Sequence, residues 1–198
     1  AGLIDLTPFC NATLDEDWHN PQDRGNNLAS LRDDSLPDGL LELGGVRFDA
    51  RGIVQLSSTE LRNLDPSYPE RIDGIAVAQT ARRIHFLHGV GWLERDGIEV
   101  ARYIVHFDDG AQAEVPVVYG EHVRNWQFWP EGVAGERGGA EPVWRGPQER
   151  WRTLWPNAGV RLYRTTWVNP RPDVAIRSLD FISTMTTSAP FLIAVTVE

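Results

Sequence analysis

Tryptophan is the residue type in this chain with the greatest capacity for binding chemistry. The chain holds 8 Trp in 198 residues, and most of them stand in segments that lack strand alternation. An indole ring offers a flat apolar face that packs against the C–H face of a sugar when hydrogen-bonding groups lie beside it. We therefore predict ligand contacts from loop tryptophans and one histidine: Trp92, Trp126, Trp129, Trp151, Trp155 and His88.

Packing is the alternative role for each member of this set. Tryptophan is highly buried on average, so any single ring could plug an end of the fold. His88 alternates with Ile84 and Phe86 on one strand face, which favours a hydrogen-bonded core histidine. His85 and His88 point to opposite faces of that strand, so the pair does not predict a zinc site. Trp167 stands in an alternating segment and is assigned to packing or to a concave sheet face.

The polar stretch from 11 to 31 is a second candidate for chemistry, because it has neither helical nor strand periodicity around Trp18 and His19. Ca²⁺ takes six to eight oxygen ligands, and Asp15, Asp17 and Asp23 supply carboxylates. The spacing matches no twelve-residue calcium loop. The simpler alternative is a solvated loop in which Asp and Asn side chains cap turns.

No catalytic set can be named from the sequence. Carboxylates occur throughout, but none stands in a distinguishing context, and Ser57, Ser58 and Ser183 lack the G-x-S-x-G elbow. Whether the protein is an enzyme is left open, with a binding role favoured.

Charge and composition disfavour some classes of binding partner. The net charge is −9 and all basic residues are scattered arginines, which disfavours nucleic acid. The longest apolar stretch, Pro190 to Val195, is far shorter than the roughly 20 residues of a membrane helix. Cys10 is the single cysteine, so no intrachain disulfide is expected. The first residues do not read as a secretion signal, so any such signal is expected to have been removed or to lie outside this sequence.

The elements that must position these residues are short β-strands. From Leu40 onward, period-two alternation recurs between Gly, Pro and Asp turns. The pattern predicts a hairpin over 40–56 with a Gly-Gly turn, and a second turn at Asp109-Gly110. Pro116 indicates an edge or bulged strand. We predict one β-sandwich domain over residues 1–198, with residues 1–39 forming an N-terminal strand and a polar loop.

Several segments together resemble galactose-binding-like jelly-roll domains, the β-sandwich modules similar to bacterial carbohydrate-binding modules. They are IDLTPFCNATL, GGVRFDARGIVQL, RIHFLHGVGW, RYIVHFDDG, EVPVVYGEHVRNW and the closing run from TTWVNP to IAVTVE. The resemblance covers nearly the whole chain and implies a jelly-roll fold, a non-catalytic role and often a sugar ligand. It also implies a structural Ca²⁺ that joins an N-terminal loop to the end of the last strand, which would add Glu198 to the ligands.

We therefore expect a non-catalytic carbohydrate-binding module, appended to other domains of a bacterial protein that is secreted or exposed on the cell surface. A protein-interaction module is the first alternative, because the same Trp-rich loops could anchor a protein partner. A glycan hydrolase or lyase on a sandwich scaffold is the second.

Overall fold

A computed structural model describes residues 2–19, 27–28, 36–129, 139–147 and 158–198. Its helical elements are a 3₁₀ turn at Thr7–Phe9 and one short helix, α1, at Thr59–Leu64. The strands are β1 (Gly2–Ile4), β2 (Gly39–Leu43), β3 (Val46–Ala50), β4 (Val54–Gln55), β5 (Arg71–Gln79), β6 (Arg83–Gly91), β7 (Glu99–Phe107), β8 (Gln112–Val118), β9 (Gln127–Phe128), β10 (Pro142–Pro147), β11 (Gly159–Val168), β12 (Ile176–Ser183) and β13 (Ala189–Val197). No described helix has the length and apolar character needed to cross a membrane.

Two antiparallel sheets and a hairpin make up the described part of the chain. The large sheet has the order β1-β13-β6-β11-β10, with β4 also paired to β13 and β9 to β11. The small sheet has the order β5-β12-β7-β8, and β2 pairs with β3 as a separate hairpin. The protein is therefore an all-β sandwich, as the alternation predicts.

Glycine and proline residues determine where several of these strands turn or lie in the sheet. Gly44 and Gly45 join β2 to β3 with φ of 56° and 77°, the left-handed conformation that a two-residue hairpin turn requires. Gly110 has φ of 87° between β7 and β8, which confirms the predicted turn. Pro116 lies on β8, an edge strand of the small sheet, where its missing N–H costs no ladder hydrogen bond.

The first core fills the space between the two sheets. Its centre is a stack of three rings, in which Tyr103 lies 3.8 Å from Phe86 and 4.8 Å from Phe181 between ring centroids. Phe86 comes from the large sheet, and the other two come from β7 and β12 of the small sheet. Alternating inward residues of both sheets supply the rest of this core, as expected for a sandwich.

A second core covers the opposite face of the large sheet. Every residue of β13 is buried, because this strand has apolar neighbours on both of its faces. The covering layer consists of the β2–β3 hairpin and the N-terminal segment. Its buried apolar residues are Ala12, Leu14, Trp18, Leu28, Leu36, Val46, Phe48, Ala50 and Ile53.

For the described residues of the stretch from 11 to 31, the alternative of a merely solvated loop is wrong. Leu28 donates its N–H to the Leu14 carbonyl at 2.9 Å, and Leu36 donates to the Leu28 carbonyl at 3.2 Å, so three isolated leucines meet in the second core. Trp18 and His19 are both 3% exposed. These few side chains order the described part of the stretch through burial.

Candidate functional site

Trp18 is held in the second core by a buried polar network centred on Gln55. The indole Nε1–H donates to Gln55 Oε1 at 2.8 Å, while Gln55 Nε2 donates to the carbonyls of Leu56 and Pro190. The side chain of Asn11 both donates to the Gln55 carbonyl and accepts from its N–H. Because each buried polar group has a partner, the network fixes the N-terminal segment on the large sheet.

His19, the next residue, contacts aromatic residues at one end of the large sheet. Its ring stacks on Trp92 at 4.5 Å with 26° between the planes, and it meets Trp126 edge-on at 5.6 Å. Burial lowers the pKa of His19 to about 3, so the ring is neutral at physiological pH. Its Nε2 has no hydrogen-bond partner among the described residues.

The backbone around Trp92 is shaped by this stacking. Gly91 leaves the space that the His19 ring occupies, since a Cβ at this position would lie 1.5 Å from His19 Cε1. Trp92 has φ of 60°, a left-handed conformation that costs free energy for a bulky residue. Its carbonyl accepts a hydrogen bond from Ser188 Oγ at 3.1 Å, and the ring stacking adds a second restraint.

Strand register places Trp92 and Trp129 at the same end of the large sheet. Trp92 follows the last residue of β6, and Trp129 follows the last residue of β9. Val90 of β6 forms a bridge with Asn125, and Gly159, the first residue of β11, pairs with Phe128 of β9. We call this region, with Trp92 and Trp129 as its half-buried rings, the tryptophan end.

Two other predicted ligand residues belong to the interior. Trp126 is 1% exposed and packs against Trp18 and Phe191. His88 shares hydrogen bonds with the Tyr103 hydroxyl at 3.0 Å and Thr165 Oγ1 at 2.9 Å, so both ring nitrogens are engaged. Burial lowers its pKa to about 3. Neither side chain offers a surface to a ligand in this arrangement.

Trp151 and Trp155 lie outside the described residues. The strands on either side of them, β10 and β11, pair Pro147 with Gly159 at the tryptophan end. Trp167 packs against the first core from β11, where it pairs with Ile84 near the start of β6, away from this end.

The arginines near the tryptophan end differ in their partners. Arg124 forms a two-point ion pair with Asp96, at 2.8 and 2.9 Å, and this contact lowers the pKa of the Asp96 carboxyl. The guanidinium of Arg145 lies 4.8 Å from the Phe128 ring centroid, and that of Arg161 lies 5.6 Å from it. Cationic and aromatic groups therefore stand together on β9, β10 and β11.

The carboxylates predicted to bind Ca²⁺ have other partners in the structure. Asp15 accepts a hydrogen bond from Thr13 Oγ1, and Asp17 accepts one from Asn27. Glu198 lies 3.2 Å from His85 Nε2 and also pairs with Arg83, beside the start of β6. Asp23 lies outside the described residues. The described residues contain no group of three or more His, Cys, Asp or Glu that could hold a metal, and a structural Ca²⁺ stays a prediction.

Sequence analysis did not find a cleft of about 490 Å³ between the N-terminal segment and the hairpin. Asp38 precedes β2 and Arg51 follows β3, so the antiparallel pairing of these strands brings the two charged groups together. The side chain of Arg51 also pairs with Asp49 at 2.7 Å. The lining residues are Thr13, Leu14, Asp15, Leu36, Pro37, Asp38 and Arg51.

The chain matches no protein-family model, and no curated protein matches it. The all-β sandwich therefore rests on the strand pairing itself. The galactose-binding-like class and the sugar ligand belong to the proposal that follows.

Proposed function

We propose that this protein is a non-catalytic carbohydrate-binding module of the galactose-binding-like jelly-roll type, which binds glycans at the tryptophan end. The observation that carries the proposal is that two half-buried tryptophans, Trp92 and Trp129, follow strands that end at the same end of the large sheet. In this proposal the module is appended to other domains of a bacterial protein that is secreted or exposed on the cell surface.

The restraint on Trp92 supports a binding role. Its ring stacks on His19, and its carbonyl is bonded to Ser188, so little conformational freedom remains to be lost when a sugar packs on the exposed part of the indole. A ring fixed before binding makes a better platform than a mobile one, because ordering a side chain costs free energy.

The ionisation state of Asp96 supports a binding role more than a catalytic one. Asp96 is held ionised by its two-point contact with Arg124, and the same contact lowers its pKa. A general acid for glycoside hydrolysis needs a raised pKa instead. Hydrolysis or lyase chemistry is accordingly an outcome of the test below and not part of the proposal.

The test is retardation of the protein in native gels that contain dextran, galactan, polygalacturonate or dextran sulfate. Trp129→Ala should weaken retention about tenfold or more, as expected when a central aromatic contact is lost. Trp167→Ala is the matched control, since it removes another half-buried indole of the same sheet, away from the tryptophan end. All variants are compared well below their melting temperatures.

Retention that Trp129→Ala reduces and Trp167→Ala preserves supports the proposal. It is overturned if wild-type protein is retained by no glycan, a result that favours the protein-interaction alternative. It is equally overturned if both variants lose retention to the same extent, or if sugar products are released from the polymers.

A further inference from the structure

Two arginines face each other across the edge of the large sheet at the tryptophan end. Arg145 of β10 is the direct register partner of Arg161 of β11. Both guanidinium groups lie near the same ring, that of Phe128, at 4.8 and 5.6 Å from its centroid. Two positive charges therefore lie beside one aromatic ring on neighbouring strands.

Among the described residues, carboxylates neutralise some of the exposed arginines on the strands but not Arg145. Arg71 pairs with Asp73, and Arg102 pairs with Glu99 and Glu114. Arg145 is exposed and has no carboxylate partner within the described residues, although the chain as a whole has a net charge of −9. Its charge is therefore available to an anion.

Stacking on Phe128 also orients Arg145. A guanidinium that stacks on a ring keeps its N–H donors at its edge, where they can form two parallel hydrogen bonds to a carboxylate or a sulfate. Trp129 is the next residue after Phe128, so the predicted sugar platform directly follows in the chain the ring on which this cation stacks.

We propose that Arg145 binds an acidic group of the ligand, so that the glycan recognised at the tryptophan end carries carboxylate or sulfate substituents. This inference rests on the proposed function and names the substrate class of the same site. Arg145 supplies the charged contact, and Trp129 supplies the apolar one.

The test compares wild type, Arg145→Gln and Arg177→Gln on four polymers. Polygalacturonate presents carboxylates, dextran sulfate presents sulfates, dextran is neutral, and polyglutamate is a polyanion without sugar. Arg177 is the matched control because it is an exposed strand arginine of the small sheet. Melting temperatures establish that each variant is folded.

We expect retention by at least one acidic polysaccharide that exceeds retention by dextran and falls about tenfold or more in Arg145→Gln, but not in Arg177→Gln. The acidic polymer that shows this loss identifies carboxylate or sulfate as the group bound.

Three outcomes would overturn the inference. In the first, dextran and the acidic polysaccharides retain the protein equally, and retention depends on Trp129 but not on Arg145. This result contradicts an acidic ligand and is still consistent with the proposed function. An equal loss of retention in Arg145→Gln and Arg177→Gln would mean that overall charge, and not Arg145, determines binding. Retention by polyglutamate that depends on Arg145 and not on Trp129 removes the sugar, and with it the proposed function as well.

Discussion

The two faces of the large sheet are buried by different means. The first core is closed by regular strands, whose inward residues stack as Phe86, Tyr103 and Phe181. The second core is closed by a hairpin and an irregular segment, which Trp18 and His19 fasten to the sheet. A periodic layer spreads its contacts over many residues, whereas an irregular layer depends on a few, so damage to it should remain more local.

The buried histidines show the same contrast. His88, beside the first core, has partners at both ring nitrogens, whereas His19 in the second core has an Nε2 without a partner among the described residues. His88 is therefore integrated by hydrogen bonds and His19 by ring packing.

The largest expected effect concerns the first core. Phe181→Ala removes one ring of the stack and leaves a cavity, so the free energy of unfolding should fall by about 3–5 kcal/mol. Urea denaturation followed by far-UV circular dichroism measures this change. Leu40→Ala, at a position that is 65% exposed on the hairpin, is the control and should change stability by less than about 0.5 kcal/mol. Similar losses for both variants would contradict the assigned core.

A smaller and more local effect is expected at Gly91. The three atoms nearest to a Cβ at this position all belong to the His19 ring, so Gly91→Ala should displace the ring and cost about 1–3 kcal/mol. Hydrogen exchange should show lost protection at the Ala12 and Leu28 amides, which bond to Ile53 and Leu14, with β7 and β12 unchanged. The double variant His19→Ala, Gly91→Ala should lose less stability than the sum of the two single changes. Simple additivity would mean that the two positions do not compete for space.

The smallest effect is a dependence of stability on pH between 7 and 5.5. The folded-state pKa values of His19 and His88 are about 3, below the unfolded value of about 6.5, so only the unfolded state takes up these protons in this range. The free energy of unfolding should therefore fall as the pH falls, by about 1 kcal/mol for each histidine. Carboxylates with lowered pKa values lose their contribution only at lower pH. Burial also lowers the pKa of His122, so this residue adds to the same slope.

Phenylalanine variants separate the two histidines. His19→Phe should reduce the slope of stability against pH, and the slope is the readout because the larger ring can itself change stability. His88→Phe should reduce the slope too, but it should also cost about 1–3 kcal/mol at every pH by leaving Tyr103 and Thr165 without their partner. An unchanged slope in both variants would place the titrating groups elsewhere.

Much of the strand framework could be predicted from local patterns. The Gly-Gly hairpin, the turn at Gly110 and the edge position of Pro116 each depend on backbone conformation that neighbouring residues dictate. The position of Trp126 could not be predicted in this way. Trp126 and Trp129 stand in the same irregular segment, yet among the described bonds only the backbone N–H of Trp126 donates to the Val90 carbonyl, and its side chain packs in the second core.

The sequence alone determined the sandwich class, the antiparallel strands and their turns, because alternation and turn residues act over a few positions of the chain. The tertiary structure decided that the polar stretch around Trp18 covers a second core, and that Arg145 and Arg161 share one ring. The physical reason is that the burial of an isolated side chain depends on which parts of the fold, distant in sequence, pack against it. Leu14, Leu28 and Leu36 carry no periodic signal, and only the opposite face of the large sheet gives them a place to pack.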